Sequence, residues 1–289
     1  MEFGLGEQQR LLDDSLRALL ADGLALESLR TIAEAGTGHD DDLGQSLAEL
    51  GLSGLLVPEA LGGAGFAMLD AAVAAEALGH AAAPQPFLAS AVMAPKALAE
   101  SGSEAQQRDW LPRIAAGEAQ FAMAFDGLTG GTAASDLKLD GKILSGHLEG
   151  VLDGAGASHL LIYLADGRAA LLETAAEGVS LALRPSLDRT RPLAEASFEG
   201  APVEILDAAN QPLEAARNVI AAGRVMLAAD TLGAAQKMLD DAVTYAGERV
   251  QFGRVIASFQ AVKHLCAEMV TMLERPAGRW SGMRHTPRT

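Results

Sequence analysis

The 289-residue sequence predicts an α+β multidomain protein. It reads as an N-terminal all-α domain over residues 1–118, a middle β-barrel or sandwich domain over 119–206, and an incomplete helical bundle over 207–289. Three observations predict this. Leu11, Leu12, Leu16, Leu19 and Leu20 recur at helical spacing with Arg10, Asp13, Asp14 and Arg17 between them. Asp140-Gly141 and Asp166-Gly167 each separate two short apolar runs, which is a hairpin signal. From Val219 to Ala242 one apolar stripe returns at helical spacing through Gly223, Met226, Leu227, Ala235, Met238 and Leu239.

In the first domain the pattern predicts further helices around Leu43–Leu50, Leu69–Gly79 and Ala89–Glu100. Ser103 and Gln106 have the spacing of a capping box, so another helix starts there and presents Trp110, Leu111 and Ile114. In the middle domain, runs at 137–139, 142–144, 160–164, 169–172, 179–183 and 196–198 predict strands, enough for a small sandwich or barrel. The third region starts at Asn210-Gln211-Pro212, since proline is tolerated where its missing N–H is not needed. A second helix follows Ser258, with Phe259, Val262, Leu265, Cys266, Met269, Val270 and Leu273 on one face. Two such helices joined by a short loop form an antiparallel hairpin and enclose no core of their own, so they require further helices from this chain or another. After Glu274 the pattern collapses, and Pro276 and Gly278 predict a helix break.

Composition excludes some functions. Lys plus Arg number 22 against 38 Asp plus Glu, a net charge of −16, which opposes nucleic-acid phosphates as partners. The single cysteine, Cys266, forms no internal disulfide and suits a reducing cytoplasm. Acidic residues near the start argue against a signal peptide, and no apolar run approaches the roughly 20 residues of a membrane span. The six histidines show no metal spacing, so no metal is expected. Gly62-Gly63-Ala64-Gly65 lacks the preceding strand and the Lys-Ser/Thr of a phosphate loop, and reads as a connection between helices.

The stretch Glu248-Arg249-Val250-Gln251-Phe252-Gly253, followed by Phe259-Gln260, carries the most chemistry. Arg249 ends one helix and Gln260 starts the next, so both can address one place. A guanidinium fork suits a pyrophosphate, a phenyl face suits an aromatic ring, and Gln pairs with amides or hydroxyls. From the residues alone, an arginine paired with a local carboxylate and a core phenylalanine fit the same pattern.

This run from Arg224 to Gln260 resembles the first bundle helices of the flavin-dependent acyl-CoA dehydrogenases. So do Leu47 to Glu59 (LAELGLSGLLVPE) with Gly62 to Gly65, Glu76 to Gly79 (EALG), and Gly102 to Pro112 (GSEAQQRDWLP) ending in Gly117-Glu118. The resemblance covers about residues 3–274. It implies FAD as cofactor, an acyl-CoA thioester as substrate, an electron-transfer flavoprotein as partner, and a homo- or hetero-oligomer without membrane insertion. It also implies that Arg249, Gln251, Phe252 and Gln260 touch the adenosine diphosphate half of an FAD bound mainly by a neighbouring subunit.

The sequence also departs from the family. The carboxylate base usually lies in the second half of the bundle, beyond this chain; some members place a glutamate at the position of Arg224, which stays protonated. No catalytic residue is assigned. Phe125 to Thr132 stands where members carry Thr-Glu-Pro-x-Ala-Gly-Ser-Asp, and Val151-Leu152-Asp153 where they carry Trp-x-Ser/Thr beside the flavin ring. The tail from about 275 reads as a frameshift that removes the rest of the bundle. Two further readings stay open: a non-catalytic subunit of a heteromeric dehydrogenase, and an inactive fragment.

Overall fold

The structure, a computed structural model, describes residues 5–130, 135–184 and 186–283, with side chains described to residue 273. Helices α1 (Glu7–Gly23), α2 (Leu26–Ala35), α3 (Asp41–Glu49), α4 (Met68–His80), α5 (Ala94–Ser101) and α6 (Glu104–Ala115) come first. Strands β1 (Phe121–Phe125), β2 (Lys138–Asp140), β3 (Ile143–Val151), β4 (His159–Tyr163), β5 (Ala169–Glu173), β6 (Val179–Leu183), β7 (Ala194–Pro202) and β8 (Glu204–Leu206) follow. The long helix α7 (Pro212–Glu248), the two-residue strands β9 (Val250–Gln251) and β10 (Arg254–Val255), and α8 (Gln260–Met283) complete the order. The all-α, β and helical parts predicted by the sequence are therefore all present.

Strands β1 to β8 form two four-stranded sheets, β1-β4-β5-β8 and β2-β3-β7-β6, and β9 pairs with β10 alone. In the first, β1 runs parallel to β4 and the other pairs are antiparallel. This sheet is buried on both faces. Phe121, Met123 and Tyr163 pack with Met93, Trp110 and Ile220 of the helices, while Ala122, Leu160 and Ile162 pack with Leu144, Leu148 and Phe198 of the second sheet. Alternate side chains of one strand thus serve two cores, which is why Phe121–Phe125 carries no polar alternation. Tyr163 shares a buried hydrogen bond of 3.2 Å with Ser101, and burial pushes its hydroxyl up to about 12.

Helix α6 starts as its sequence requires. Ser103 Oγ accepts from the Gln106 N–H at 3.3 Å, and Gln106 Oε1 accepts from the Ser103 N–H at 2.9 Å. Gln106 Nε2 also donates to Glu204 Oε1 at 2.7 Å and to the Ile205 carbonyl at 3.1 Å, so the cap ties α6 to β8. Removing the hydroxyl with Ser103→Ala is expected to lower unfolding free energy by about 1 kcal/mol, read from urea denaturation. An unchanged midpoint would deny the cap its role.

The structure corrects several sequence expectations. The segment expected as one helix over Ala89–Glu100 is a wide π-helical turn, Phe87–Met93, running into α5. Pro95 near the start of α5 has no N–H to close an ordinary turn. The first hairpin turns on Gly141-Lys142, because Asp140 pairs with Ile143, and only Gly141 has positive φ, at 60°. The second turns through residues 164–168, with the Gly167 N–H bonded to the Leu164 carbonyl at 2.8 Å. Both expected Asp-Gly turns therefore use the glycine differently. Helix α8 does not break at Pro276 and Gly278 but runs to Met283. A proline removes one donor, and Glu274 and Arg275 before it and Ala277 and Arg279 after it favour helix. The remainder of the tail, 284–289, lies outside the described residues.

Candidate functional site

The connection between α7 and α8 is more built than a short loop. Arg249 caps α7, with its N–H bonded to the Tyr245 carbonyl at 2.8 Å and its carbonyl accepting from the Ile256 N–H at 2.8 Å. Between these bonds, β9 and β10 pair through Val250–Val255 and Gln251–Arg254. The turn residues Phe252 and Gly253 have φ of 53° and 76°, the two positive values of a type I′ hairpin. A bulky residue at positive φ is disfavoured, yet it lifts the Phe252 ring into solvent, 93% exposed. Phe259 meets that ring edge-on at 6.2 Å, and the Arg254 guanidinium lies 4.2 Å from the Phe259 centroid.

Arg249, Gln251, Phe252 and Gln260 are all exposed on this one turn. Among the described residues no ion pair holds Arg249 or Arg254. Gln251 Nε2 donates to the Val250 carbonyl at 2.8 Å. Of the sequence alternatives, the local arginine–carboxylate pair and the core phenylalanine are both absent here. A cationic, aromatic face without an ion pair among the described residues fits an anionic ligand with an aromatic ring. In a chain of net charge −16, two guanidiniums on one turn without an ion pair among the described residues stand against the general balance.

A second feature gave no sequence signal of its own. A cavity of about 310 Å³ opens where α4, the 83–88 segment, residues 152–153, residues 188–193 and α7 meet. Ala75, Leu78, Phe87, Leu88, Leu193 and Met226 supply apolar wall, and Asp153 reaches into it. Asp153 has φ of 53°, and its Oδ2 accepts from the Ala89 N–H at 2.8 Å. Across the cavity Arg191 Nη1 holds Asp230 Oδ2 at 2.6 Å, and Arg191 Nε donates to the Ala83 carbonyl at 3.3 Å.

Burial raises the Asp153 carboxyl to about 6; the Ala89 N–H and the Arg191 charge oppose the rise, and Asp230 adds to it. Its folded-state value is thus above its unfolded value, so its contribution to stability is present below about 4 and is lost as pH rises through about 6. The loss amounts to about 3 kcal/mol. Asp153→Asn does not titrate. It is therefore expected to gain stability relative to the unmodified chain between pH 4 and 7, measured by denaturant unfolding across that range. Parallel curves for the two proteins would refute the assignment.

His147, Glu149 and Glu195 also bring ligand atoms within 4.8 Å of one another. They come from β3 and β7, so linear spacing could not show them. Arg184 already holds Glu149 at 2.6 Å and lies 3.6 Å from Glu195. Arg224 is exposed and donates to the Thr129 carbonyl at 3.4 Å. Of the Phe125–Thr132 segment, Gly131 and Thr132 lie outside the described residues.

Comparison with known proteins now decides the family. The model of the acyl-CoA dehydrogenase N-terminal domain matches residues 6–118, and that of the C-terminal domain matches 210–276. Acyl-CoA dehydrogenase IpdE2 of Mycolicibacterium smegmatis is 30% identical over 266 residues, which span 92% of this chain and 73% of that protein. The chain belongs to the acyl-CoA dehydrogenase family. By family it is an FAD-dependent oxidoreductase. Acyl-CoA dehydrogenase FadE34 of Mycobacterium tuberculosis is 36% identical over 231 residues, 79% of this chain but 29% of that longer protein. A variant of the Tcur3481-Tcur3483 steroid ACAD superposes with a TM-score of 0.81 at 30% identity, covering 94% of this chain and 75% of that one. Butyryl-CoA dehydrogenase from Megasphaera elsdenii, at 22% identity and a TM-score of 0.82, covers 95% of this chain and 78% of its own, and shows the acyl-CoA dehydrogenase fold alone. No helix among the described residues is long and apolar enough to cross a membrane.

Proposed function

We infer that this chain is a subunit of an acyl-CoA dehydrogenase-like flavoprotein that introduces an α,β double bond into an acyl-CoA thioester. The observation that supports it best is the turn between α7 and α8. Its exposed Phe252 ring and unpaired Arg249 suit the adenosine diphosphate half of FAD. In this reading Arg249 meets the pyrophosphate, Phe252 offers its face to an aromatic ring, and Gln251 and Gln260 pair with hydroxyls or amides. The turn points away from the chain's own core, so the cofactor is shared with a neighbouring subunit. FAD, when bound, supplies the hydride acceptor. An electron-transfer flavoprotein is the proposed recipient of the electrons, and the reducing cytoplasm the proposed location.

The cavity beside Asp153 is the proposed place for the acyl group, since an apolar enclosure with few polar groups is the usual form of a small-molecule site. Purified protein that is yellow and loses its flavin absorbance near 450 nm, about the usual oxidised-flavin band, on adding an acyl-CoA supports the reading. Yellow protein that no acyl-CoA bleaches overturns the dehydrogenase activity.

One observation favours a second reading, a non-catalytic subunit of a heteromer. Arg224 stands where some members carry the glutamate base, and it bonds a loop carbonyl. In that case flavin is retained only when a partner subunit is co-expressed, and the base is the partner's.

A further inference from the structure

The turn between α7 and α8 carries a second guanidinium, that of Arg254, to which the FAD reading gives no role. We propose that Arg254 is a positioning residue: through the Phe259 ring it holds the exposed Phe252 ring ready for the aromatic end of the adenosine diphosphate. The proposal rests on the half-site reading and adds a residue that acts through another rather than on the ligand.

The need comes from Phe252 itself. Its ring is 93% exposed at the tip of a two-residue turn, so the chain's own packing restrains it little. A ring free to change rotamer must be ordered when a ligand stacks on it, and that ordering is subtracted from the affinity. A neighbour that fixes the ring beforehand removes the loss.

The geometry supplies such a neighbour. The Phe259 ring meets Phe252 at 6.2 Å with the planes at 88°, and the Arg254 guanidinium sits over its face, 4.2 Å from the centroid. Both separations lie in the attractive range for their kind of contact. Phe259 has a fixed backbone at the start of α8: its N–H bonds the Ile256 carbonyl at 3.0 Å, and its carbonyl accepts from the Lys263 N–H at 3.2 Å. Arg254 is fixed from the other side, because β10 pairs it with Gln251. Arg254, Phe259 and Phe252 thus form one line of contacts across the hairpin.

Nothing else on the page explains that line. Among the described residues no ion pair holds Arg254, so no carboxylate draws the guanidinium off the ring. Nor does the contact serve a core. Arg113 stacks on Trp110 at 4.4 Å, but Trp110 is buried in the core between the helices and the first sheet. Phe259 is only half-buried and belongs to none of the three apolar clusters of described residues.

The test is calorimetric titration of FAD into the purified, flavin-free full chain. Arg254→Gln is expected to weaken binding roughly three- to tenfold, with the melting temperature of the flavin-free chain unchanged. Arg254→Lys keeps a cation for the ring and should restore most of the lost affinity. Phe259→Leu should weaken FAD at least as much as Arg254→Gln. Adding Arg254→Gln to it should then change nothing further, because the cation has no ring to act through. An Arg254→Gln chain that binds FAD like the unmodified one, while Arg249→Ala does not, overturns the proposal and leaves the half-site reading intact. So does a full Arg254→Gln effect in the Phe259→Leu background, which would mean that the guanidinium meets the ligand directly. So does a lowered flavin-free melting temperature in Arg254→Gln. Should Phe259→Leu fail to fold, Lys at 254 performing no better than Gln is the overturning result. If neither Arg249→Ala nor Arg254→Gln weakens FAD binding, the half-site reading itself falls and takes the proposal with it.

Discussion

Arg249→Ala is expected to weaken FAD retention roughly ten- to a hundredfold, the range for losing a bidentate guanidinium–phosphate contact. The melting temperature of the flavin-free protein should change little, because the side chain is exposed and makes no ion pair among the described residues. The two readouts separate a ligand role from a structural one. Its backbone bonds to Tyr245 and Ile256 survive the substitution, so the turn should keep its shape. Arg249→Lys keeps the charge and loses the fork, and should fall between the two. FAD retained by Arg249→Ala as firmly as by the unmodified chain would remove the pyrophosphate assignment. Retention is read by filtration and flavin fluorescence, and stability by calorimetry without flavin.

The largest effect on stability is expected where α4 crosses α7, the most extensive contact between two elements among the described residues. Gly233 of α7 lies against the Glu76 carbonyl, and Gly79 of α4 lies against the Asp230 carbonyl. Each glycine receives the backbone of the other helix. A side chain there meets rigid backbone and has nowhere to go. Gly233→Leu is therefore expected to cost about 3 kcal/mol or more, seen as a lowered denaturation midpoint. Gly247, also in α7, has no atom within 4 Å of an added Cβ. Gly247→Ala should instead raise stability by up to about 1 kcal/mol. Similar effects at the two positions would mean that the helices do not cross as described.

The crossing also bears on function. Asp230, whose carbonyl packs on Gly79, sends its carboxylate to Arg191 at the cavity wall. The same close approach that joins the helical part to α7 therefore fixes one side of the cavity. Shifts of the crossing would move Met226, Leu227, Asp230 and Thr231, the described residues of α7 that line it.

How far the fold was legible depends on how local its causes are. Ser103 with Gln106 marked the start of α6 because a capping box closes within four residues, and Val179–Leu183 was found with its observed limits. Strand β1 was harder. Both of its faces are buried, so it lacks the alternation that reveals a half-exposed strand, and its partner β4 comes 38 residues later with a parallel register. Helix α2 carries Leu26, Leu29 and Ile32 at helical spacing, but it is short and buries no residue, and the sequence reading passed over it. Pro276 misled because one lost donor does not end a helix whose neighbours favour it.

The same division holds for the two sites. Arg249, Gln251, Phe252 and Gln260 are contiguous or nearly so, and their turn is dictated by adjacent residues, including the Phe252-Gly253 pair at positive φ. Their residue types and spacing could therefore be read directly. Asp153, Arg191 and Asp230 come from separate parts of the chain and meet only after the β part docks on α4 and α7. In the sequence Asp153 stood out solely as a departure from the pattern around it. Its environment, a buried carboxyl at about 6 beside an occupied arginine, belongs to the tertiary structure.

The central claim is that the turn carrying Arg249 and Phe252 is a half-site for FAD, completed by a neighbouring subunit. Native mass spectrometry of the purified chain with FAD, titrated down in protein concentration, tests it most directly. FAD is expected to travel only with species of two or more chains and to be released as those species dissociate. Monomer that retains stoichiometric FAD would contradict it.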